Sequence, residues 1–203
     1  MKKNRLQQMQ TTIIQKLGPA QGNEISAQIK HEYDTLCQND SNRPKDLIHH
    51  LHKNIFPAIA TFHALQKAGM SRQKAIEFTQ ESFLELMEKP ASTIRKLCKF
   101  PGIYHLVPTL FKTMMPKLFK KEAGFSFQIY PTNHQRAKFD MLKCPYYEIC
   151  QELNCPELAP IFCQTDDICY GNMHPKLCWK RTQTIARGGT LCDFDIRIQN
   201  KKS

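Results

Sequence analysis

The chain has 203 residues, enough for one domain, or one with a helical extension, to bury a core without disulfides or metals. Its formal net charge of +11 favours anionic partners without choosing among nucleic acid, membrane surface and carboxylate substrate. Nine cysteines, an odd number, argue against a disulfide framework, and no apolar run approaches the ~18 residues of a membrane-spanning helix. The first residues are basic, but LQQMQTTIIQKL is too polar for a signal core, so a reduced, cytoplasmic protein is expected.

Ile13, Ile14 and Leu17 allow a short amphipathic helix before GPAQGN. Residues 24–40 read as helix, with Ile25, Ile29, Tyr33 and Leu36 at three-to-four spacing, and QNDSNRP breaks it. The next helix, 46–67, carries a stripe of Leu47, Leu51, Ile55, Ile59, Phe62 and Leu65; Pro57 inside it predicts a kink near Asn54. Gly69 ends it. Ser71 can cap the following helix, which is expected to stop at Pro90. Residues 89–121 contain eight Lys or Arg and no Asp or Glu, and Pro101, Pro108 and Pro116 predict two or three short helices. This segment reads either as a basic amphipathic surface for lipid, nucleic acid or a partner, or, preferably, as a helical lid on the core with solvated lysines.

Gly124 opens a change of period. Phe125, Phe127 and Ile129 alternate with polar residues, and Ala137, Phe139 and Met141 do so again after the turn PTNH, which predicts two strands. Pro145 to Leu153 reads as a helix with proline in its first turn, and another runs from Pro156 to Phe162 with a continuation to Cys169. Leu177, Trp179, Arg181 and Gln183 then alternate as a strand. Gly188-Gly189 would turn it into a hairpin whose far side carries Cys192, Phe194, Ile196 and Ile198. The fold class is α+β: an N-terminal helical half, 1–122, packed on a C-terminal part, 123–203, with an antiparallel sheet of about four strands and inserted helices, as one compact domain.

Residues 161–194 concentrate the reactive side chains. Cys163 and Cys192 each stand near a carboxylate, Asp166 and Asp193, and near expected turns; either can be a nucleophile or a small buried apolar residue. Asp166 and Asp167 would point about 100° apart on a helix, so at most one enters a pocket. On the last strand Asp193 faces away from Cys192, unless a bulge re-aims it. Arg181 and Arg187, flanking Thr182 and Thr184, can bind a carboxylate bidentately, and the amides of Gly188 and Gly189 can form an anion nest; a charged hairpin face is the alternative. No Cys-x-x-Cys occurs, so no metal is expected, although Cys163, Asp166, His174 and Cys192 could assemble a zinc site in space. His49, His50, His52 and His63 read as a solvated helix face. No nucleotide-cradling loop, serine elbow or nucleic-acid motif is present, and no nucleic-acid partner is expected.

The stretches CPYYEICQELNCPELAPIFCQTDDICYGNMHPKL and WKRTQTIARGGTLCDF closely resemble the L-2-amino-thiazoline-4-carboxylic acid hydrolase family, and FPAIATFHALQKAG resembles its N-terminal part. The matching positions are Cys144, Tyr147, Cys163, Asp166, Arg181, Thr182, Gly188, Gly189, Cys192, Asp193 and Phe194, as motif positions rather than assigned catalysts. Cys155 and Cys178 are additional to the pattern, and Thr190-Leu191 replaces a more polar pair.

The resemblance implies hydrolysis of a cyclic amidine-like thioimidate, with 2-amino-thiazoline-4-carboxylate opened toward a carbamoyl-cysteine. Cys163, Asp166, Asp193 and Cys192 are then the candidate catalytic residues. Arg181, Thr182, Arg187, Gly188, Gly189, Tyr147 and His174 are the candidates for substrate binding, and no cofactor is expected. The partner would be a small carboxylate-bearing substrate. Membrane contact is not expected, and a homo-oligomer is compatible with the sequence. A ligand-binding or sensor module without catalysis, using 89–121 as its contact surface, is the alternative from a different class.

Overall fold

The structure is a computed structural model and describes residues 4–199. Helix α1 (Arg5–Leu17) begins at Asn4, whose side chain accepts from the Gln7 amide while Gln7 reaches back, a reciprocal cap. Helix α2 (Pro19–Asn39) folds back against it. Gly22 makes their close approach possible: a Cβ there would lie 2.6 Å from the Ile14 Cα.

The predicted kink takes a definite form. Helix α3 (Lys45–His50) passes through a π-helical turn, Leu51–Ile55, into α4 (Phe56–Lys67) without interruption. Pro57 lacks an N–H and its ring would clash with the carbonyl four residues earlier; widening the preceding turn relieves both problems. The His52 carbonyl does not go unmatched, because the Tyr33 hydroxyl donates to it at 3.2 Å. Helix α4 is buried nearly all round and forms the axis of the helical half.

Helix α5 (Arg72–Glu85) starts after Ser71, whose side chain makes no cap bond; its backbone carbonyl accepts from Ala75 instead. It ends before Pro90, not at it. Pro90 sits in the first turn of α6 (Glu88–Cys98), where a missing N–H costs nothing. Pro101 lies in the turn before α7 (Ile103–Leu118). Pro108 and Pro116 are accommodated inside α7, so two helices rather than three cover this segment, followed by a short 3-10 turn at Lys121–Ala123.

The C-terminal half contains strands β1 (Ser126–Ile129) and β2 (Arg136–Lys143), helices α8 (Pro145–Glu152) and α9 (Ala159–Tyr170), and strands β3 (Leu177–Lys180) and β4 (Cys192–Ile198). The four strands form one antiparallel sheet in the order β1-β2-β4-β3. The α+β architecture expected from the period change at Gly124 is the one observed. Register is pinned at the centre, where Phe139 lies opposite Phe194 and the rings stack at 4.6 Å. Alternation along β4 buries Cys192, Phe194 and Ile196 and turns Asp193 and Asp195 outward. One hydrophobic cluster runs from Leu6 and Met9 on α1 through Ile59 and Phe62 on α4 to Phe139 and Phe194 on the sheet.

Two expectations fail around the last hairpin. The strand predicted through Gln183 ends at Lys180, and residues 181–191 form a loop containing a 3-10 turn at Ile185–Arg187. Gly188 and Gly189 therefore lie within a long loop between the paired strands β3 and β4 and do not form a tight two-residue turn. Phe139→Ala removes one side of the central stack and is expected to lower unfolding free energy by about 3–5 kcal/mol, measured by urea denaturation.

Candidate functional site

Helix α9 takes the continuation past Phe162 and runs to Tyr170, and this fixes the setting of Cys163. The residue lies inside the helix rather than at its end, with Asp166 three residues on and therefore on the same side. Facing them is the loop after β3, which begins with Arg181.

Arg181 ties the loop to α9. Its side chain is only 4% exposed. One terminal nitrogen donates to Asp166 Oδ2 at 3.3 Å; the other donates to Asp167 Oδ2 at 2.7 Å and to the Cys163 carbonyl at 2.8 Å. The guanidinium also lies over the rings of Phe194 and Trp179, at 5.4 and 5.8 Å. Both aspartates thus converge on one cation although they leave the helix in different directions. The expectation that at most one points into the site is corrected, because a planar fork bridges the angle between them. The role expected of Arg181 also shifts: its terminal nitrogens already donate to protein acceptors.

The two carboxylates are not equivalent. Asp167 also accepts from the Trp179 indole N–H at 3.1 Å, which makes it structural. Asp166 has only the longer contact to Arg181, and among the described residues its Oδ1 accepts no hydrogen bond. Surrounding protein desolvates Asp166 and pushes its pKa up to about 7; Arg181 opposes the rise and Asp167 adds to it. The side chain keeps 37% of its surface exposed, so water and substrate can still exchange protons with it.

Cys163 on α9 and Cys192 on β4 interact electrostatically with this carboxylate, and Cys144 at the start of α8 interacts with both thiols. Desolvation raises Cys163 to about 11, with Arg181 pulling it down, and raises Cys144 to about 12. Burial raises Cys192 as well, and its sulfur accepts from the Ile185 amide at 3.3 Å. Cys163 is partly exposed, whereas Cys192 is buried. The resting site therefore holds thiols, and a thiolate at Cys163 needs a base beside it. The Thr184 hydroxyl faces Cys163, is buried, and makes no hydrogen bond of ordinary geometry.

Asp193 stands on the other face of β4 and holds the loop. Burial would raise its pKa, but bonds from the Thr182 hydroxyl at 2.7 Å and from the Thr182 and Gln183 amides at 2.8 Å each outweigh it, and the carboxyl is held low. Thr182 is engaged by this contact. The anion nest is absent: the Gly188 amide donates to the Ile185 carbonyl and the Gly189 amide to the Thr184 carbonyl. Only Gly188 has a positive φ, +84°; Gly189 is required because a Cβ would lie 2.9 Å from the Thr184 carbonyl oxygen. Arg187 is exposed on the turn.

Two expected residues lie elsewhere. The Tyr147 hydroxyl accepts from Gln151 on the exposed side of α8. His174 stacks on Tyr104 at 4.4 Å beyond the far end of α9, and its Nδ1 accepts from the Lys176 amide. This separates His174 from Cys163, and among the described residues no three His, Cys, Asp or Glu side chains form a metal-ligating group.

Tyr146, not Tyr147, turns toward the site. It packs edge-on to Phe162 at 4.9 Å and interacts electrostatically with Asp166 and Cys144. Burial raises its phenol, so the hydroxyl stays protonated. Its oxygen accepts from Asn54 at 2.8 Å and lies 3.0 Å from His50 Nδ1, while His50 Nε2 lies 3.1 Å from the Leu118 carbonyl. A carbonyl only accepts, so Nε2 carries the proton and Nδ1 accepts from Tyr146. Burial lowers the His50 pKa, consistent with this neutral form. Helical spacing offered a signal for Tyr146: it shares a face with buried Ile149 and Cys150, whereas Tyr147 shares one with Gln151. The sequence placed Asn54 at the kink, His50 on a solvated helix face and Thr184 beside the arginines; the structure instead half-buries His50 against Tyr146 and buries Thr184, contacts that no local pattern signals.

An open groove of about 650 Å³ lies elsewhere, lined by residues that include Arg5, Tyr33, His49, His52 and Lys53. It contains no thiol or carboxylate, so the reactive groups stay with the α9 cluster.

A desolvated carboxyl beside a partly exposed thiol, facing a buried hydroxyl, is a constellation suited to nucleophilic or general-base hydrolysis. The comparison with known families agrees. The model of the L-2-amino-thiazoline-4-carboxylic acid hydrolase family matches residues 49–196, well over half of the chain, and the protein belongs to this family of hydrolases. No curated protein and no solved structure matches the chain.

Arg181→Met leaves two carboxylates against apolar rings. The cost is expected to fall below the roughly 3–5 kcal/mol of a fully buried broken pair, because both aspartates are partly exposed, and thermal denaturation measures it. For Asp166 the folded pKa lies above the unfolded one. Between the ordinary value of 3.8 and about 7, the folded state holds a proton that the unfolded state has released. This contribution to stability is therefore largest on the acid side and declines as pH rises to about 7; Asp166→Asn should flatten the slope.

Proposed function

We propose that the protein hydrolyses a small cyclic amidine or thiazoline carboxylate, of the kind for which its family is named, to a carbamoyl-cysteine or a related ring-opened product. The observation that carries this reading is the pairing of Asp166, poised near neutral pH, with the Cys163 thiol on one side of α9. A carboxylate matches an amidinium in charge and in bidentate geometry, so Asp166 serves first to orient the substrate.

Asp166 takes the Cys163 proton, and the sulfur adds to the amidine carbon. The ring C–N or C–S bond breaks as that proton passes to the leaving nitrogen or sulfur. Water then adds to the same carbon, the Sγ–C bond breaks, and the thiol is restored, so that substrate and one water give the ring-opened product. The buried Thr184 hydroxyl hydrogen-bonds the developing tetrahedral centre. Arg187, on the turn packed against α9, receives the substrate carboxylate, since the terminal nitrogens of Arg181 are engaged within the protein.

The high pKa of Cys163 favours a second route, in which Asp166 directs a water onto the amidine carbon and the cysteines are structural. The nine free cysteines suit a reducing, cytoplasmic setting.

Incubation with 2-amino-thiazoline-4-carboxylate and related cyclic amidines, followed by mass spectrometry, is expected to show ring opening. Asp166→Asn should lower kcat by about 10²–10⁴ and remove a rise in activity with pH centred near 7. Loss of turnover in both Cys163→Ala and Cys163→Ser supports the covalent route; near-wild-type turnover in both leaves the water route. Absence of turnover on every cyclic amidine would overturn the hydrolase reading in favour of a binding module.

A further inference from the structure

Helix α7 has more apolar surface than the fold covers. Val107, Phe111 and Met115 pack inward, against the sheet and Tyr170. On the outer flank Leu106 and Leu110 are 61% and 55% exposed, and Leu118, the last residue of the helix, is 51% exposed. The stripe continues backwards over the preceding turn, where Phe100 is 62% exposed and Leu97 on α6 is 54% exposed. Single exposed leucines are ordinary, but a continuous apolar ridge along a helix of about 24 Å is not. A lid reading accounts for the inner flank of α7 and leaves this outer flank unexplained.

Charge accompanies the ridge. Residues 89–121 contain no acidic side chain and eight basic ones. Arg95 pairs with Glu88, Lys120 with Asp46, and Lys112 donates to the Thr132 and Asn133 carbonyls. Among the described residues Lys96, Lys99, Lys117 and Lys121 form no ion pair. Lys96 and Lys99 immediately precede Leu97 and Phe100, while Lys117 lies seven residues from Leu110 and thus on the same helix face. No described helix is long and apolar enough to cross a membrane.

We infer that the outer flank of α7, with the turn before it, docks in the plane of an anionic lipid bilayer. The geometry and the chemistry agree. A convex helix presents leucines and a phenylalanine for the acyl boundary, and unpaired lysines at headgroup level can extend their ammonium groups to lipid phosphates. Docking against a second copy of this basic chain would crowd these like charges, whereas an anionic leaflet neutralises them.

The full chain is mixed with vesicles of phosphatidylglycerol and phosphatidylcholine, or of phosphatidylcholine alone, and floated on a density gradient. Binding to the anionic vesicles is expected at low salt and should weaken as salt is raised past about 0.15 M. Leu106→Gln and Leu110→Gln should each reduce partition by about tenfold. Both positions are exposed, so circular dichroism and the thermal transition should stay unchanged. Failure to float with anionic vesicles at low salt overturns the inference. So does equal flotation of the wild type and both variants, which would leave charge without insertion. Self-association by sedimentation, dispersed by Leu110→Gln without vesicle binding, would instead assign the ridge to a second copy of the chain.

Discussion

The Arg181 guanidinium is the contact on which the site depends. The Arg181 side chain is almost fully buried and charged, and the fold must therefore supply anions and carbonyls around it. Asp166, Asp167 and the Cys163 carbonyl meet that need, all from α9. A loop that has left its sheet is in this way fastened to a helix far away in sequence. Asp193 and Cys192, from opposite faces of β4, hold the next residues of the same loop through Thr182, Gln183 and Ile185. The thiol of Cys163, the free edge of Asp166 and the unmatched Thr184 hydroxyl meet where these constraints cross.

The helical half does more than cover the sheet. Pro57 forces the turn before it to widen, and the same stretch places His50 and Asn54 against the Tyr146 hydroxyl. The resulting chain of hydrogen bonds runs from the end of α7 through His50 to the wall of the site. Burial keeps Tyr146 and His50 neutral, so the wall adds polarity without adding charge. The charge balance at the site is then set by Arg181 and its two carboxylates. Within that balance desolvation pushes Asp166 toward neutral pH, with Arg181 opposing the rise and the neighbouring Asp167 charge adding to it.

Legibility in the sequence followed locality. A first helix through Ile13, Ile14 and Leu17, helices over 24–40 and 145–153, the strands β1, β2 and β4, and the bend near Asn54 were readable, because hydrophobic period and proline act over a few residues; the start of α2 at Pro19, inside a stretch that read as a break, was not. The alternation on β4 also gave the opposite facing of Cys192 and Asp193. The readings that failed were those in which a tertiary contact outbid local pattern. Arg181 and Gln183 continue the alternation of β3, yet the Arg181 contact to α9 and the Asp193 clamp draw the chain out of the sheet. The glycine pair looked like a hairpin turn with free amides; both amides are used in closing a 3-10 turn. Tyr147 and His174 matched a pattern of residue types, but α8 and the turn after α9 face them away.

By itself the sequence determined the α+β division, the family and the small set of residues proposed for the chemistry, since period, punctuation and motif are properties of neighbouring residues. It also carried the charge bias of 89–121. Only the tertiary structure decided which of those residues meet. Burying one guanidinium drew Asp166 and Asp167 onto Arg181 and engaged its terminal nitrogens within the protein, while the packing of α8 turned Tyr146 rather than Tyr147 inward. Desolvation by groups distant in sequence set the protonation of Asp166 and Cys163, and the limited extent of the core left the outer flank of α7 uncovered. These are effects of distance and dielectric, which no local pattern contains.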